Sequence, residues 1–127
     1  MKKHCRIRQR DVTDCGAACL ASGFAFYGLH IPVSRIRQTA GTGKAGTTLS
    51  GLLRAAEKVK MDAKAVKAPL ESLTTVPLPA IAHLLLNNSY GHYVVLIDVA
   101  DGQVKIMDPA EGAIKRMGIS DFADTWT

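Results

Sequence analysis

Three side chains in this sequence could together make a nucleophile and its base: Cys15, His92 and Asp108. The cysteine lies in Gln9-Arg10-Asp11-Val12-Thr13-Asp14-Cys15-Gly16-Ala17-Ala18-Cys19-Leu20. A polar run leads into it, and small and then apolar residues follow, the pattern of a loop that turns into a helix at Cys15. Asp14 or Thr13 can cap that helix, because either side-chain oxygen can accept a free backbone N–H of the first turn. The thiol then sits at the positive end of a helix dipole, where the thiolate is favoured. Gly16, Ala17 and Ala18 leave room around it. A nucleophile in that position needs a base and a group that orients the base.

Four histidines are available, His4, His30, His83 and His92. His4 is in a basic N-terminal arm, His30 follows a helix end, and His83 is mid-strand among apolar residues. His92 opens a strand just after a glycine turn, so a rigid backbone presents its side chain at a cleft mouth. Asp108 closes the next strand. Counting outward from the turn at Asp101-Gly102, Ala100 faces Gln103 and Val99 faces Val104, so His92 and Asp108 fall toward the same open end of the ribbon. An aspartate there can hold the imidazole tautomer and stabilise the imidazolium. Asp108-Pro109 is equally readable as an ordinary strand terminator. Gln9, six residues before the cysteine, can donate its amide to an oxyanion beside the backbone N–H of Cys15. Taken alone, it also reads as a surface glutamine.

The elements that must position these residues follow from the pattern. The first helix is expected from about Cys15 to Tyr27, with Leu20, Phe24 and Tyr27 on one face and Gly28 as its left-handed terminator. Pro32 interrupts, and Ser34 can cap a short helix through about Thr39. Gly41-Thr42-Gly43-Lys44-Ala45-Gly46 lacks the Walker spacing and a feeding strand, so it reads as a flexible loop with a substrate-contact role. Thr47 or Thr48 starts a third helix ending near Lys60, with Leu49, Leu52, Leu53 and Ala56 on one face. Asp62 to Lys67 carries a short strand signal, and Pro69 to Leu73 a single helical turn. The period then changes to sheet. Strands are expected over Ala80–Leu86, His92–Val99 and Gln103–Asp108, with a turn at Asn87-Asn88-Ser89-Tyr90-Gly91 between the first two. Asp101-Gly102 is a hairpin signal. A fourth strand follows Glu111-Gly112 through Arg116, and Ser120 caps a last helix, Asp121 to Trp126. Helices first and an antiparallel sheet after is the α+β pattern, in one domain over 1–127.

Composition narrows the function classes. The chain has 127 residues, 47% hydrophobic and 21% charged, a globular balance. No apolar run approaches the roughly 20 residues of a membrane helix. Net charge is +5, but the basic residues are scattered and aromatics are not interleaved with them. That argues against a nucleic-acid platform. Three cysteines give no disulfide framework and fit a reducing compartment. Cys5, in the arm, is expected to be exposed. Cys19, one helical turn after Cys15, invites a metal or redox reading with Cys15 and His92, but no fourth ligand is evident. The other reading of Cys19 is a small buried thiol.

The cysteine stretch, then Gly91-His92-Tyr93-Val94-Val95, then Met107-Asp108-Pro109, resemble in order and spacing the motifs of the C39 peptidases. These are the papain-like N-terminal domains of bacterial peptidase-containing ABC transporters. The resemblance covers essentially the whole chain. It implies a papain-like α+β fold, with Cys15 as nucleophile, His92 as general base and then acid, Asp108 as orienting group, and Gln9 with Cys15 forming the oxyanion hole. It implies cleavage of leader peptides after two glycines, with the leader bound as an amphipathic helix in a shallow apolar groove. The residues around Leu49–Ala56 and the sheet edge are candidates for that groove. It implies partners in the membrane and ATPase domains of an exporter, at the cytoplasmic face of the membrane. No cofactor is implied for the peptidase, and ATP belongs only to an attached transporter. With no Walker motif and no membrane span in the sequence, an excised domain and a standalone peptidase both remain open. Related domains that lack the cysteine only bind substrate, so a leader-binding module is the alternative, and a thiol redox or metal protein a more distant one.

Overall fold

The computed structural model describes residues 2, 5–65, 67–86 and 90–127. Of the turn expected over 87–91, residues 87–89 lie outside them, as does His4, whereas Tyr90 and Gly91 belong to the strand that carries His92, which starts two residues earlier than expected. Among the described residues, helix α1 spans Cys15–Phe26, α2 Val33–Ala40, α3 Leu49–Lys58 and α4 Ile119–Thr125. Strands β1 (Ala80–Leu86), β2 (Tyr90–Ala100), β3 (Gln103–Asp108) and β4 (Ala113–Gly118) form one antiparallel sheet in the order β1-β2-β3-β4.

Strand alternation sorts the sheet's side chains into two layers. Val95 and Met107 pack with Cys19 of α1 on one face. Val94, Leu96, Val104 and Ile106 pack with Phe122 of α4 on the other, joined by Leu73 from the short 3-10 turn Leu70–Thr74. A third cluster joins the helices: Leu20, Ala21 and Phe24 of α1, Ile36 and Ala40 of α2, and Leu52, Ala55 and Ala56 of α3. Helices α2 and α3 meet at Gly51, where an added Cβ would come 2.2 Å from the Ala40 carbonyl oxygen.

Several boundaries differ from the sequence reading for identifiable reasons. Helix α1 is buried almost all round and has no single apolar face, and Tyr27 lies beyond its end, 63% exposed. Gly28 does adopt the expected left-handed conformation, φ 85°. Helix α2 starts at Val33 without the Ser34 cap. The Pro32 carbonyl accepts the N–H groups of Arg35 and Ile36, and the fixed proline φ prepares that start. Thr48 caps α3 through its hydroxyl, which accepts Gly51 N–H at 3.0 Å. No strand forms at 62–65 or at 67; these residues are almost all exposed. Cys5 is buried, contrary to expectation. The arm around it is tied down, because Ile7 N–H donates to Ser22 Oγ at 2.9 Å and Ile7 packs on the helical core. Asp101 and Gly102, φ 53° and 74°, form the expected tight hairpin turn.

Candidate active site

The approach to Cys15 is built one turn earlier than the sequence suggests. A 3-10 turn, Val12–Asp14, runs directly into α1, and its cap is Asp11. Asp11 Oδ1 accepts Thr13 N–H at 3.0 Å, and the Asp14 carboxylate accepts Asp11 N–H at 3.1 Å, a reciprocal capping box. Asp14 makes no cap bond to α1, because its carboxylate is otherwise occupied. It accepts the N–H groups of Arg10 and Asp11 and the guanidinium of Arg37 on α2. Cys15 therefore enters α1 with its loop wrapped around a buried carboxylate, and is itself 7% exposed.

His92 and Asp108 meet through a fault in the sheet. Near the turn the β2–β3 register is Ala100↔Gln103 and Val99↔Val104, as the sequence count gives, but beyond Asp98↔Lys105 it shifts to Leu96↔Ile106 and Val95↔Met107. Ile97 is the extra residue of a β-bulge. A ladder that kept Ile97 in register, paired with Ile106, would set Asp108 opposite Val95 and on the face of Tyr93. Because Ile97 is passed over, Asp108 falls in phase with Val94 and so with His92, two residues away from Val94. A one-residue slip moves a side chain to the other face of a sheet, and here the slip brings the pair together. His92 Nε2 and Asp108 Oδ1 are 2.8 Å apart. The other ring nitrogen is left for Cys15, whose thiol interacts with the His92 side chain.

The electrostatics follow from these bonds. The hydrogen bond to Asp108, helped by Cys15, raises the His92 pKa from 6.5 to about 9 against the opposing effect of burial. The same bond lowers Asp108 from 3.8 to about 2, with the Ala110 N–H and Lys115 contributing. Burial pushes the Cys15 thiol up. The His92 hydrogen bond and the backbone N–H groups of Tyr93 and Gly16 outweigh it, so the thiol falls below its ordinary value. Together these favour a thiolate beside an imidazolium at neutral pH.

Helix and strand are held close at this point. An added Cβ on Gly16 would sit 3.1 Å from the Tyr93 ring and 3.3 Å from Thr47 Cβ. Tyr93 is pinned in turn, its hydroxyl donating to the Thr47 carbonyl at 3.2 Å and its ring packing edge-on against His83. The glycine segment before Thr47 is more ordered than the sequence suggests. Gly43 and Gly46 exchange backbone hydrogen bonds, and the Thr42 and Thr47 hydroxyls are 2.6 Å apart.

Gln9 is placed by its backbone, whose N–H donates to the Pro109 carbonyl at 2.8 Å, one residue after Asp108. Its amide nitrogen donates to the Asp11 carbonyl at 3.1 Å, and its Oε1 is buried without a hydrogen-bond partner. His83 stands apart from the Cys15–His92–Asp108 group and bonds the Thr127 hydroxyl. Cys19 is fully buried, and burial raises its thiol well above the ordinary value, which leaves it inert. Among the described residues, no three of His, Cys, Asp and Glu converge to hold a metal ion. Sequence reasoning missed Arg37, Lys115 and the bulge. Lys115 reaches Asp108 Oδ2 at 3.5 Å and Glu111 at 2.9 Å. Its spacing from Glu111 is the one local signal that could have found it.

Comparison with known proteins bears on the family and the fold that carry this site. The sequence model of the peptidase C39 family matches residues 3–127. The chain is 41% identical over 123 residues to the lactococcin-G-processing and transport ATP-binding protein of Lactococcus lactis subsp. lactis, covering 95% of this chain and 17% of that protein. It is 33% identical over 129 residues to the transport/processing ATP-binding protein ComA of Streptococcus pneumoniae, 99% of this chain and 18% of that one. The chain thus spans less than a fifth of the length of these relatives. Among solved structures, the peptidase domain of Streptococcus ComA superposes with a TM-score of 0.88 at 31% identity, over 95% of this chain and 90% of that chain. A double glycine motif protease from an AMS/PCAT transporter, in complex with the leader peptide, gives 0.86 at 29% identity, over 95% and 84%. The expected α+β, papain-like architecture is the one these matches carry.

Proposed function

This chain belongs to the peptidase C39 family, and on that premise we propose that it is a cysteine endopeptidase that removes double-glycine leader peptides from secreted peptide precursors. The observation that carries the proposal is the His92–Asp108 hydrogen bond at 2.8 Å, with the Cys15 thiol interacting with the same imidazole. The Cys15 thiolate attacks the carbonyl of the glycine before the scissile bond. The oxyanion forms beside the Cys15 N–H at the start of α1, and the Gln9 amide completes its hole once it turns from the Asp11 carbonyl. The His92 imidazolium gives its proton to the leaving amine, and the thioester remains. Neutral His92 then activates water, which releases the leader and regenerates the thiol. Asp108 keeps Nε2 occupied, so that the other nitrogen always faces sulfur. No step asks for a metal or cofactor.

The leader is the partner of this site, bound as an amphipathic helix ending in two glycines. A concavity lined by Leu53, Glu57, Lys60, Met61, Asp62 and Ala63, at the C-terminal half of α3, is a candidate seat. It overlaps the Leu49–Ala56 stretch only at its edge. The membrane and ATPase domains of an exporter are the second partner, which places the domain at the cytoplasmic face of the membrane. No nucleic acid is a partner. No helix among the described residues is long and apolar enough to cross a membrane.

Incubation with a panel of double-glycine leader peptides, read by mass spectrometry, tests the proposal. Cleavage after the second glycine is expected from the wild type and none from Cys15→Ala, with an unchanged circular dichroism spectrum. Tight binding of a leader with no turnover under reducing conditions would instead make the chain a leader-binding module.

A further inference from the structure

The reaction above uses neither the carboxylate that immediately precedes Cys15 nor the guanidinium paired with it. Asp14 immediately precedes Cys15 and is 3% exposed. A buried carboxylate without partners is costly, and this one is fully engaged. One oxygen accepts the N–H groups of Arg10 and Asp11, at 3.3 and 3.1 Å. The other accepts from Arg37 Nη1. Arg37 also donates to the Thr13 hydroxyl at 3.0 Å, so one guanidinium nitrogen holds two consecutive residues of the loop before Cys15. Its own side chain is 34% exposed. The same loop begins at Gln9, anchored by the Pro109 carbonyl. It is therefore fixed at one end to the strand of Asp108 and at the other to α2.

Two consequences follow from electrostatics and geometry. A negative charge beside a thiolate disfavours it, and at a partly buried site that repulsion is little screened. A paired guanidinium cancels it. Without Arg37, Thr13 and Asp14 would also lose their side-chain anchor from outside residues 9–14 among the described residues.

We propose that Arg37 is a positioning residue for the nucleophile, pairing with Asp14 to hold the Gln9–Asp14 loop against the start of α1 and to neutralise the charge next to the Cys15 thiolate. The proposal rests on the cysteine peptidase reading and adds a residue to it. Arg37 touches no reacting atom and acts through Asp14.

The test compares Arg37→Gln, Asp14→Asn, their double variant and Arg37→Lys. The pH dependence of Cys15 alkylation by iodoacetamide is followed by peptide mass spectrometry. Cys15 titrates among His92, Asp108, Tyr93 and Cys19, all of which every variant retains. Arg37→Gln is expected to raise the midpoint of thiolate appearance by about one pH unit, roughly tenfold slower alkylation below it. Asp14→Asn is expected to lower it, and the double variant to return near the wild type. Arg37→Lys should keep the midpoint. On a leader peptide, Arg37→Gln should lose about tenfold or more in kcat with KM changed less than threefold. A purely structural contact would shift both single variants the same way, or neither, and that result would overturn the proposal. If Arg37→Gln does not fold, Asp14→Asn decides alone: a lowered midpoint supports the proposal and an unchanged one ends it. Alkylation needs no turnover. A wild type that fails to cleave would therefore strike the peptidase reading, whereas unmoved midpoints in a cleaving enzyme would strike only the role of Arg37.

Discussion

His92 and Asp108 are each shifted by the other, His92 up to about 9 and Asp108 down to about 2. A folded value of about 2 lies below the ordinary 3.8 of an aspartate. The stability it contributes is present above pH 3.8 and is lost as pH falls through about 2. A folded value of about 9 lies above the ordinary 6.5 of a histidine, so that contribution is complete below pH 6.5 and is lost as pH rises through about 9. Melting temperature against pH should therefore fall at both extremes, and Asp108→Asn should flatten both limbs. Activity follows the same groups. The thiolate–imidazolium pair exists between the titration of Cys15 and that of His92, so the basic limb of kcat/KM is expected near pH 9. Asp108→Asn removes the charge that raises His92, and the basic limb should move toward pH 6.5. The loss in kcat should be roughly 10²- to 10⁴-fold, the range of general acid–base assistance. A variant with an unmoved basic limb would show that Asp108 does not set the imidazolium.

The element that makes this pairing possible is the bulge in β2. Ile97 gives no sign of it, being one apolar residue in an apolar strand, and no turn chemistry marks the site. The Asp101-Gly102 hairpin, by contrast, is legible because its two positive φ angles demand those residue types. Pairing counted from that turn holds for its first rungs and brings His92 and Asp108 to the same end of the ribbon, but their shared face depends on the bulge, which the count does not contain. The helices divide similarly. Thr48 declares the start of α3, whereas α2 has no side-chain cap to read. The Asp14–Arg37 pair joins residues 23 apart in sequence, with no local pattern linking them. Deleting Ile97 tests the bulge directly. The rungs on either side, Asp98↔Lys105 and Leu96↔Ile106, can then close into a regular ladder that keeps Asp108 opposite Val94 and in phase with His92. The variant is expected to fold, to keep kcat within about tenfold of the wild type, and to retain the basic limb of kcat/KM near pH 9. A loss of about 100-fold or more, with that limb moved toward pH 6.5, would mean that the local twist of the bulge, and not face parity alone, aims the pair.

At the scale of the molecule, Cys15 and the His92–Asp108 pair belong to different bodies of packing. Cys15 opens a helix that is continuous with the α2–α3 core, while His92 and Asp108 ride on the sheet. The spacing between them is fixed by whatever holds the first turn of α1 against β2. That contact is Gly16 against Tyr93 and Thr47, with a hypothetical Cβ only 3.1 and 3.3 Å from them. Neither neighbour is free to give way. The Tyr93 hydroxyl is bonded to the Thr47 carbonyl, and its ring is backed by His83 at 4.9 Å between centroids. Alanine has a better helix propensity than glycine by about 1 kcal/mol, so local energetics alone would make Gly16→Ala neutral or stabilising. Crowding works against that gain, and it acts along the line that joins the two bodies. The expected outcome is a melting temperature within a few degrees of the wild type, an activity lower by about tenfold or more, and a Cys15 alkylation midpoint moved up toward that of an unpaired thiol. Small misplacement costs rate far more than stability, because the reaction depends on tenths of an ångström that the fold as a whole tolerates. Full activity in Gly16→Ala would show that the helix and the sheet can move apart without separating sulfur from imidazole, and would place the control of their spacing in the arm, where Gln9 meets Pro109.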